Sequence, residues 1–290
     1  MGERVGFIGL GIMGAPMARH LLETGFPLTV HSRSPAPVDA LVSDGAVRAT
    51  SPAEVAGVSD VVITMLPDTP DVEHVMLGDV GVAAGAAAGA LVIDMSTIDP
   101  GPTRAIAGQL RQHGVEMLDA PVSGGERGAI DGTLSIMVGG PDGAFARAQP
   151  ILQVMGKNIV HVGPSGAGQI TKACNQLVVA ATIEAVAEAL VLAERSGVDP
   201  AKVRDALLGG FAGSKILEVH GQRMLDHAFE PGFRARLHRK DARIVLDAAQ
   251  AAGSPIPAFQ VVAAQLDRLV DETDRGDLDH SALFTLLDGA

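Results

Sequence analysis

The stretch Arg4-Val-Gly-Phe-Ile-Gly9-Leu-Gly11-Ile-Met-Gly14-Ala-Pro-Met-Ala-Arg-His-Leu-Leu22 decides the fold. Its first half is a short apolar run of the kind that forms a buried strand, and Met13, Met17 and Leu21 then recur at helical spacing. Between them three glycines make a G-x-G-x-x-G turn in the context that gives such a turn meaning, with a strand before it and a helix after it. Gly9 permits the tight turn, Gly11 lets the backbone approach a pyrophosphate, and Gly14 lets helix and strand pack closely, so the helix N-terminus points at the phosphates. With Leu10, Ile12 and Met13 between the glycines, residues 9–14 are the expected cofactor turn.

Outward from that turn, strand-like segments alternate with helical ones at 28–31, 61–65, 91–94, 116–118, 135–138 and 159–162. The alternation predicts an α/β fold, a Rossmann-type doubly wound and mostly parallel sheet over residues 1–163. After Gly163-Pro-Ser-Gly166-Ala-Gly168 the pattern becomes purely helical: one long stretch over 169–195, then shorter ones near 202–208, 216–226, 235–252 and 258–273. Residues 164–290 therefore read as an all-helical domain for substrate and oligomerisation.

Composition narrows the function. A chain of 290 residues, 47% of them hydrophobic, is long enough for two domains with real cores. A net charge of -12 argues against nucleic acid or an anionic membrane as partner, so an anionic ligand needs a locally basic or amide-lined pocket. The single cysteine, Cys174, excludes an internal disulfide and a cysteine-based zinc site and fits a cytoplasmic location. No signal-like segment precedes the first strand, and the apolar stretch 177–193 carries Glu184 and Glu188, as a buried helix does and a membrane span does not. The absence of tyrosine removes Tyr-Lys dehydrogenase chemistry, so a proton-transfer group must be lysine, histidine or a carboxylate. None of the nine histidines has metal-cluster spacing, and no metal is expected.

Several segments are placed to carry chemistry. The second strand ends in His31-Ser32-Arg33-Ser34, with no carboxylate for a free ribose 2'-hydroxyl; a guanidinium between two hydroxyls suits a 2'-phosphate and hence NADP(H), whereas an Arg33 stacked on adenine would admit NAD(H) as well. Met65-Leu66-Pro67 and Ser96-Thr97 close two further strands on the ligand side of such a sheet, or merely punctuate them. Ser123-Gly124-Gly125 offers a hydroxyl and uncovered amides to a small carboxylate, although a plain turn also uses glycines. Lys172 lies one turn into the long helix with Asn175 and Gln176 on the same face, as a proton donor with two substrate-holding amides or as a solvated first-turn lysine. Lys240-Asp241, after Phe233-Arg-Ala-Arg, is either a returning site element or a basic helix face.

Taken in order, Gly6 to Gly14, Met65-Leu-Pro67, Asp119 to Gly140, Gly166 to Gln176 and Lys240-Asp241 resemble the β-hydroxyacid dehydrogenase family, which includes the 3-hydroxyisobutyrate dehydrogenases, from end to end. The resemblance implies Lys172 as general acid, Ser123, Gly124, Gly125, Asn175 and Gln176 around the substrate, and Met65, Leu66, Pro67, Thr97, Phe233 and Lys240 at the cofactor. Lys172-Ala-Cys-Asn-Gln176, residues 209–220 and Leu278-Asp-His-Ser-Ala282 are most similar to the branch that reduces tartronate semialdehyde (2-hydroxy-3-oxopropanoate) to glycerate. Oxidation of 3-hydroxyisobutyrate with NAD is the alternative within the family, and a non-catalytic dinucleotide-binding interaction protein is the alternative outside it. The expected partners are a small anionic aldehyde or hydroxyacid and further copies of the chain, as a homodimer or homotetramer.

Overall fold

The computed structural model describes residues 2–289 and divides into two compact units, Met1–Lys172 and Ala173–Ala290. In the first, strands β1 (Val5–Ile8), β2 (Leu28–His31), β3 (Val47–Arg48), β4 (Val61–Thr64), β5 (Leu91–Asp94), β6 (Glu116–Asp119), β7 (Val122–Ser123), β8 (Leu134–Gly139) and β9 (Gly156–Gly163) form one sheet. Its order is β3-β2-β1-β4-β5-β6-β8-β7, with β9 added beside β8. The pairs from β3 to β6 are all parallel. Strand β8 runs antiparallel to β6 and β7, and β9 returns parallel to β8. The expected Rossmann-type sheet is therefore present, with an antiparallel margin.

Helices α1 (Gly14–Glu23), α2 (Pro35–Ser43), α3 (Pro52–Gly57), α4 (Thr69–Leu77), α5 (Val82–Gly85), α6 (Pro100–Gln112), α7 (Gly125–Ile130) and α8 (Asp142–Met155) connect the strands. Period-two alternation sends successive side chains to opposite faces. Val61 and Ile63 join Val5, Phe7, Met17 and Leu21 in one core. Val62 joins Ile8, Val55, Met76 and Ile106 in another. Both faces are apolar because helices cover both, which is why these strands read as continuous hydrophobic runs.

Helix α9 (Ala167–Arg195) starts in the first unit and continues into the second, where α10 (Pro200–Leu208), α11 (Lys215–Leu225), α12 (Ala235–Ala252), α13 (Pro257–Asp271) and a 3-10 helix over His280–Leu286 follow. Ala180, Ile183, Ala187 and Leu190 of α9 lie in a core with Leu217, Val245, Phe259, Leu266 and Phe284. That packing makes the apolar α9 a core helix. Gly253, left-handed at φ 63°, ends α12. A single antiparallel bridge, Arg234 with Asp279, is the unit's extended pairing among the described residues.

Candidate active site

Strand order brings the expected cofactor residues of the sheet unit to one edge, while Phe233 and Lys240 lie in the helical unit. Strands β2, β1, β4 and β5 are neighbours and parallel, so the turn 9–14, Ser32-Arg33-Ser34, Met65-Leu66-Pro67 and Thr97 all follow C-terminal strand ends. The chain direction of crossover reverses between β1 and β4, the switch point where open sheets bind ligands. Gly9 has φ 97°, and a Cβ there would collide with the Met65 carbonyl. A Cβ on Gly14 would collide with the Gly9 carbonyl, so turn and helix touch backbone to backbone. Gly11 faces open space, which leaves room for a phosphate against its amide.

The start of α1 differs from those of α3, α4, α6, α10 and α11, which are each capped by a serine or aspartate side chain. α1 has neither a side-chain cap nor an acidic residue in its first turn. The Ala15 amide pairs with the Gly11 carbonyl at 3.0 Å and Pro16 has no N–H, so the positive end of the helix dipole at Gly14 is what meets an anion at this turn. The residues present fit a dinucleotide pyrophosphate.

Beside that turn, the Leu10 amide donates to Ser32 Oγ at 3.4 Å, tying the ends of β1 and β2. The Arg33 guanidinium is 81% exposed and lies 3.3 Å from Asp71 of α4. Exposed ion pairs are weak, so Arg33 remains able to turn to a stronger anion. The Leu66 amide donates to Ser96 Oγ at 2.9 Å. Below it, Asp94 accepts from Thr64 Oγ1 at 2.8 Å and from the Ser96 amide at 3.1 Å. Burial pushes the Asp94 carboxyl up to about 6, against these hydrogen bonds.

Asp119 at the end of β6 accepts from the amides of Gly166 at 2.7 Å and Gln169 at 3.0 Å. The carboxylate thereby clamps the first turn of α9, although burial raises its pKa. Gln169 in turn accepts from the Ile98 amide at 3.2 Å and donates to the Ser96 carbonyl at 2.8 Å. The helix that carries Lys172 is fixed to two strand ends within its first turn. Lys172 itself is 7% exposed. The sequence reading missed Asp119 and Gln169, since a carboxylate whose partners are distant backbone amides leaves no local pattern.

Ser123 ends β7, and Gly124 and Gly125 follow with φ of 135° and 59°. Both glycines are exposed and Ser123 is half-buried, as an open amide cradle requires. In the helical unit, half-buried Asn175 donates to Gln176 Oε1 at 2.8 Å, and Gln176 Nε2 donates to Asp241 Oδ2 at 2.6 Å. Lys240 Nζ is 3.0 Å from the other Asp241 oxygen. Gln176 therefore braces Asn175, leaving Asn175 as the more accessible amide.

The sequence analysis singles out residues 209–220 and 278–282 without joining them. His220, Asp279 and His280 bring ligand-type atoms within 4.8 Å of one another, with His238 2.9 Å from His280. These residues lie 42 and 60 positions apart for the two histidine pairs, so no spacing rule joins them.

Two family descriptions match the chain: the NAD binding domain of 6-phosphogluconate dehydrogenase over residues 4–163, and the NAD-binding region of NADP-dependent 3-hydroxyisobutyrate dehydrogenase over residues 166–287. The 2-hydroxy-3-oxopropionate reductase of Escherichia coli (strain K12) is 46% identical over 285 residues, covering 98% of this chain and 97% of its own. A 3-hydroxyisobutyrate dehydrogenase of Pseudomonas aeruginosa is 39% identical, with 98% of each chain covered. Among solved structures, the Mycobacterium tuberculosis 3-hydroxyisobutyrate dehydrogenase with L-serine superposes with a TM-score of 0.89, at 35% identity and 99% coverage of both chains.

Proposed function

The chain belongs to the β-hydroxyacid dehydrogenase family of nicotinamide-dependent oxidoreductases, and we propose that it reduces tartronate semialdehyde to glycerate with Lys172 as the general acid. The observation that carries this reading is the likeness, over nearly the whole chain, to a relative named for that substrate. A reduced nicotinamide dinucleotide at the 9–14 turn supplies the hydride.

The roles of the residues follow from their chemistry. The Ser123 hydroxyl and the amides of Gly124 and Gly125 bind the substrate carboxylate, and Asn175, braced by Gln176, orients the substrate beside Lys172. As the aldehyde carbon gains hydride, Lys172 passes a proton from Nζ to the carbonyl oxygen, and its charge stabilises the alkoxide developing there. Leu66, Pro67, Thr97, Phe233 and Lys240 are assigned to the cofactor. Arg33 takes a 2'-phosphate by leaving Asp71, which favours NADP(H) over NAD(H).

Oxidation of 3-hydroxyisobutyrate is the second reading, favoured by the family match over residues 166–287. The two substrates differ at the middle carbon, where a hydroxyl needs a polar partner and a methyl an apolar one. Initial rates followed by nicotinamide absorbance, with each substrate and with each cofactor, separate them. The proposal requires the highest kcat/KM for tartronate semialdehyde with NADPH; a higher value for 3-hydroxyisobutyrate replaces it with the second reading.

A further inference from the structure

The histidine cluster of the helical unit has no part in the chemistry above. Its base is Asp279, a fully buried carboxylate. Asp279 Oδ1 accepts from Ser281 N at 3.1 Å and Ser281 Oγ at 2.6 Å. Asp279 Oδ2 accepts from the amides of Gly232 at 3.0 Å and Phe233 at 3.2 Å and pairs with Arg223 at 3.0 Å. Burial opposes its charge, but His220, His280 and Ser281 outweigh that and hold the carboxyl well below the usual range.

From this anion runs a chain of nitrogens. His220 Nδ1 is 3.4 Å from Asp279 Oδ1, His220 Nε2 is 3.2 Å from His280 Nε2, and His280 Nδ1 is 2.9 Å from His238 Nδ1. A carboxylate only accepts, so His220 turns an N–H at Nδ1 toward Asp279, and its Nδ1–H tautomer accepts at Nε2. His280 must then carry its proton on Nε2 and accept at Nδ1, and His238 must donate from Nδ1. In this arrangement each of the three contacts has one donor and one acceptor. A second proton on His280 would set N–H against N–H. The charged and titratable groups facing His280 are Asp279 beside it, His220 and Arg223 from α11 and His238 from α12; burial foremost keeps the His280 imidazole well below its usual pKa. A divalent cation would have to compete with Arg223 for a carboxylate already fully engaged.

What the chain grips is Phe233. Its N–H is held by Asp279, its carbonyl accepts from the His280 amide at 2.9 Å, and its ring lies 5.7 Å from the His238 ring and 5.4 Å from the His280 ring. His238 stands two residues before Lys240 on α12. We propose that the His220–His280–His238 chain anchored on Asp279 is a positioning device, which fixes Phe233 and the Lys240 turn of α12 for cofactor binding through one set of tautomers. The proposal rests on the assignment of Phe233 and Lys240 to the cofactor.

Two measurements test it. Nitrogen NMR of protein labelled in histidine should show His220 and His238 as fixed Nδ1–H tautomers and His280 as a fixed Nε2–H tautomer at neutral pH; averaged tautomers, a charged ring, or a shift of these signals on adding one equivalent of zinc overturns the chain. His280→Asn should weaken NADPH about tenfold, the loss expected when a buried hydrogen bond is removed, while kcat at saturating cofactor changes less than about twofold. Unchanged NADPH affinity in His280→Asn beside a weakened Phe233→Ala overturns the positioning role. Unchanged affinity in Phe233→Ala and Lys240→Ala overturns the cofactor assignment instead. Should His280→Asn not fold, the tautomer measurement on the unaltered protein still decides.

Discussion

The two units use buried polar side chains in different proportions. In the sheet unit they serve the backbone: Asp119 holds the amides of Gly166 and Gln169, Gln169 holds Ile98 and Ser96, and Asp94 holds Ser96. In the helical unit Asp279 also holds the amides of Gly232, Phe233 and Ser281, but other buried side chains serve one another, Gln176 with Asp241 and His280 with both His220 and His238. The difference has a physical origin. Open turns at strand ends expose amides that must be paired, whereas helices satisfy their own backbone and leave buried side chains to find side-chain partners. A ligand site made from strand ends is thus rigid in its backbone, and one made from helix faces depends on side-chain networks.

The largest expected effect breaks or upholds the chemical reading where α9 leaves its backbone clamp. Lys172→Ala should lower kcat by roughly a hundredfold or more, the ordinary scale of lost general acid catalysis, with NADPH affinity little changed. Near-normal kcat in stopped-flow or steady-state assays would remove Lys172 from the reaction. Next comes the strand-end site for the ribose. Arg33→Ala should weaken NADPH by tens-fold, on the scale of roughly 1.5–3 kcal/mol for a hydrogen bond to a charged group, and leave NADH nearly unaffected. Equal weakening of both cofactors in fluorescence titrations would show that Arg33 contacts something other than the 2'-phosphate.

A smaller effect is expected at the cradle. Gly124 has φ 135° and a Cβ there would sit 3.2 Å from Leu134 Cδ2, so substitution there strains the fold itself. Gly125 is the cleaner probe: its φ of 59° admits alanine at about 1 kcal/mol, and nothing lies within 4 Å of the new Cβ. Gly125→Ala should raise KM for tartronate semialdehyde about tenfold by covering one amide, with NADPH binding unchanged. An unchanged KM places the carboxylate away from this loop.

The contrast between units also explains what the sequence revealed. Strands β1, β2, β4, β5, β6, β8 and β9 were each legible because apolar runs and glycine spacing act within a few residues. β3 and β7, two residues each, are too short to alternate. The long helices stood out by period, whereas the 3-10 helix over His280–Leu286 has none to read. The glycine turn and Ser123-Gly-Gly were visible because they are contiguous. The clamp from Asp119 and the histidine chain were not, because their partners are brought together only by the fold.

The smallest expected effect tests whether side chains in the helical unit always find partners. Glu184 of α9 is 6% exposed, and its Oε2 has no hydrogen-bond partner. Burial first, then the charge of Glu188, raises its carboxyl from 4.5 to about 7, with Arg268 opposing. Between those values the folded chain keeps a proton that the unfolded chain releases, so this group lowers stability as pH rises through the window and costs nothing below it. Glu184→Gln removes the ionisable group while keeping its shape. The variant should be more stable than the parent above pH 7 by about 1 kcal/mol, a discounted share of the shift because solvent screens part of the charge. Thermal unfolding across the range should show that advantage shrinking as pH falls toward 4.5. A difference independent of pH would mean that Glu184 is held by contacts and not by the burial of its charge.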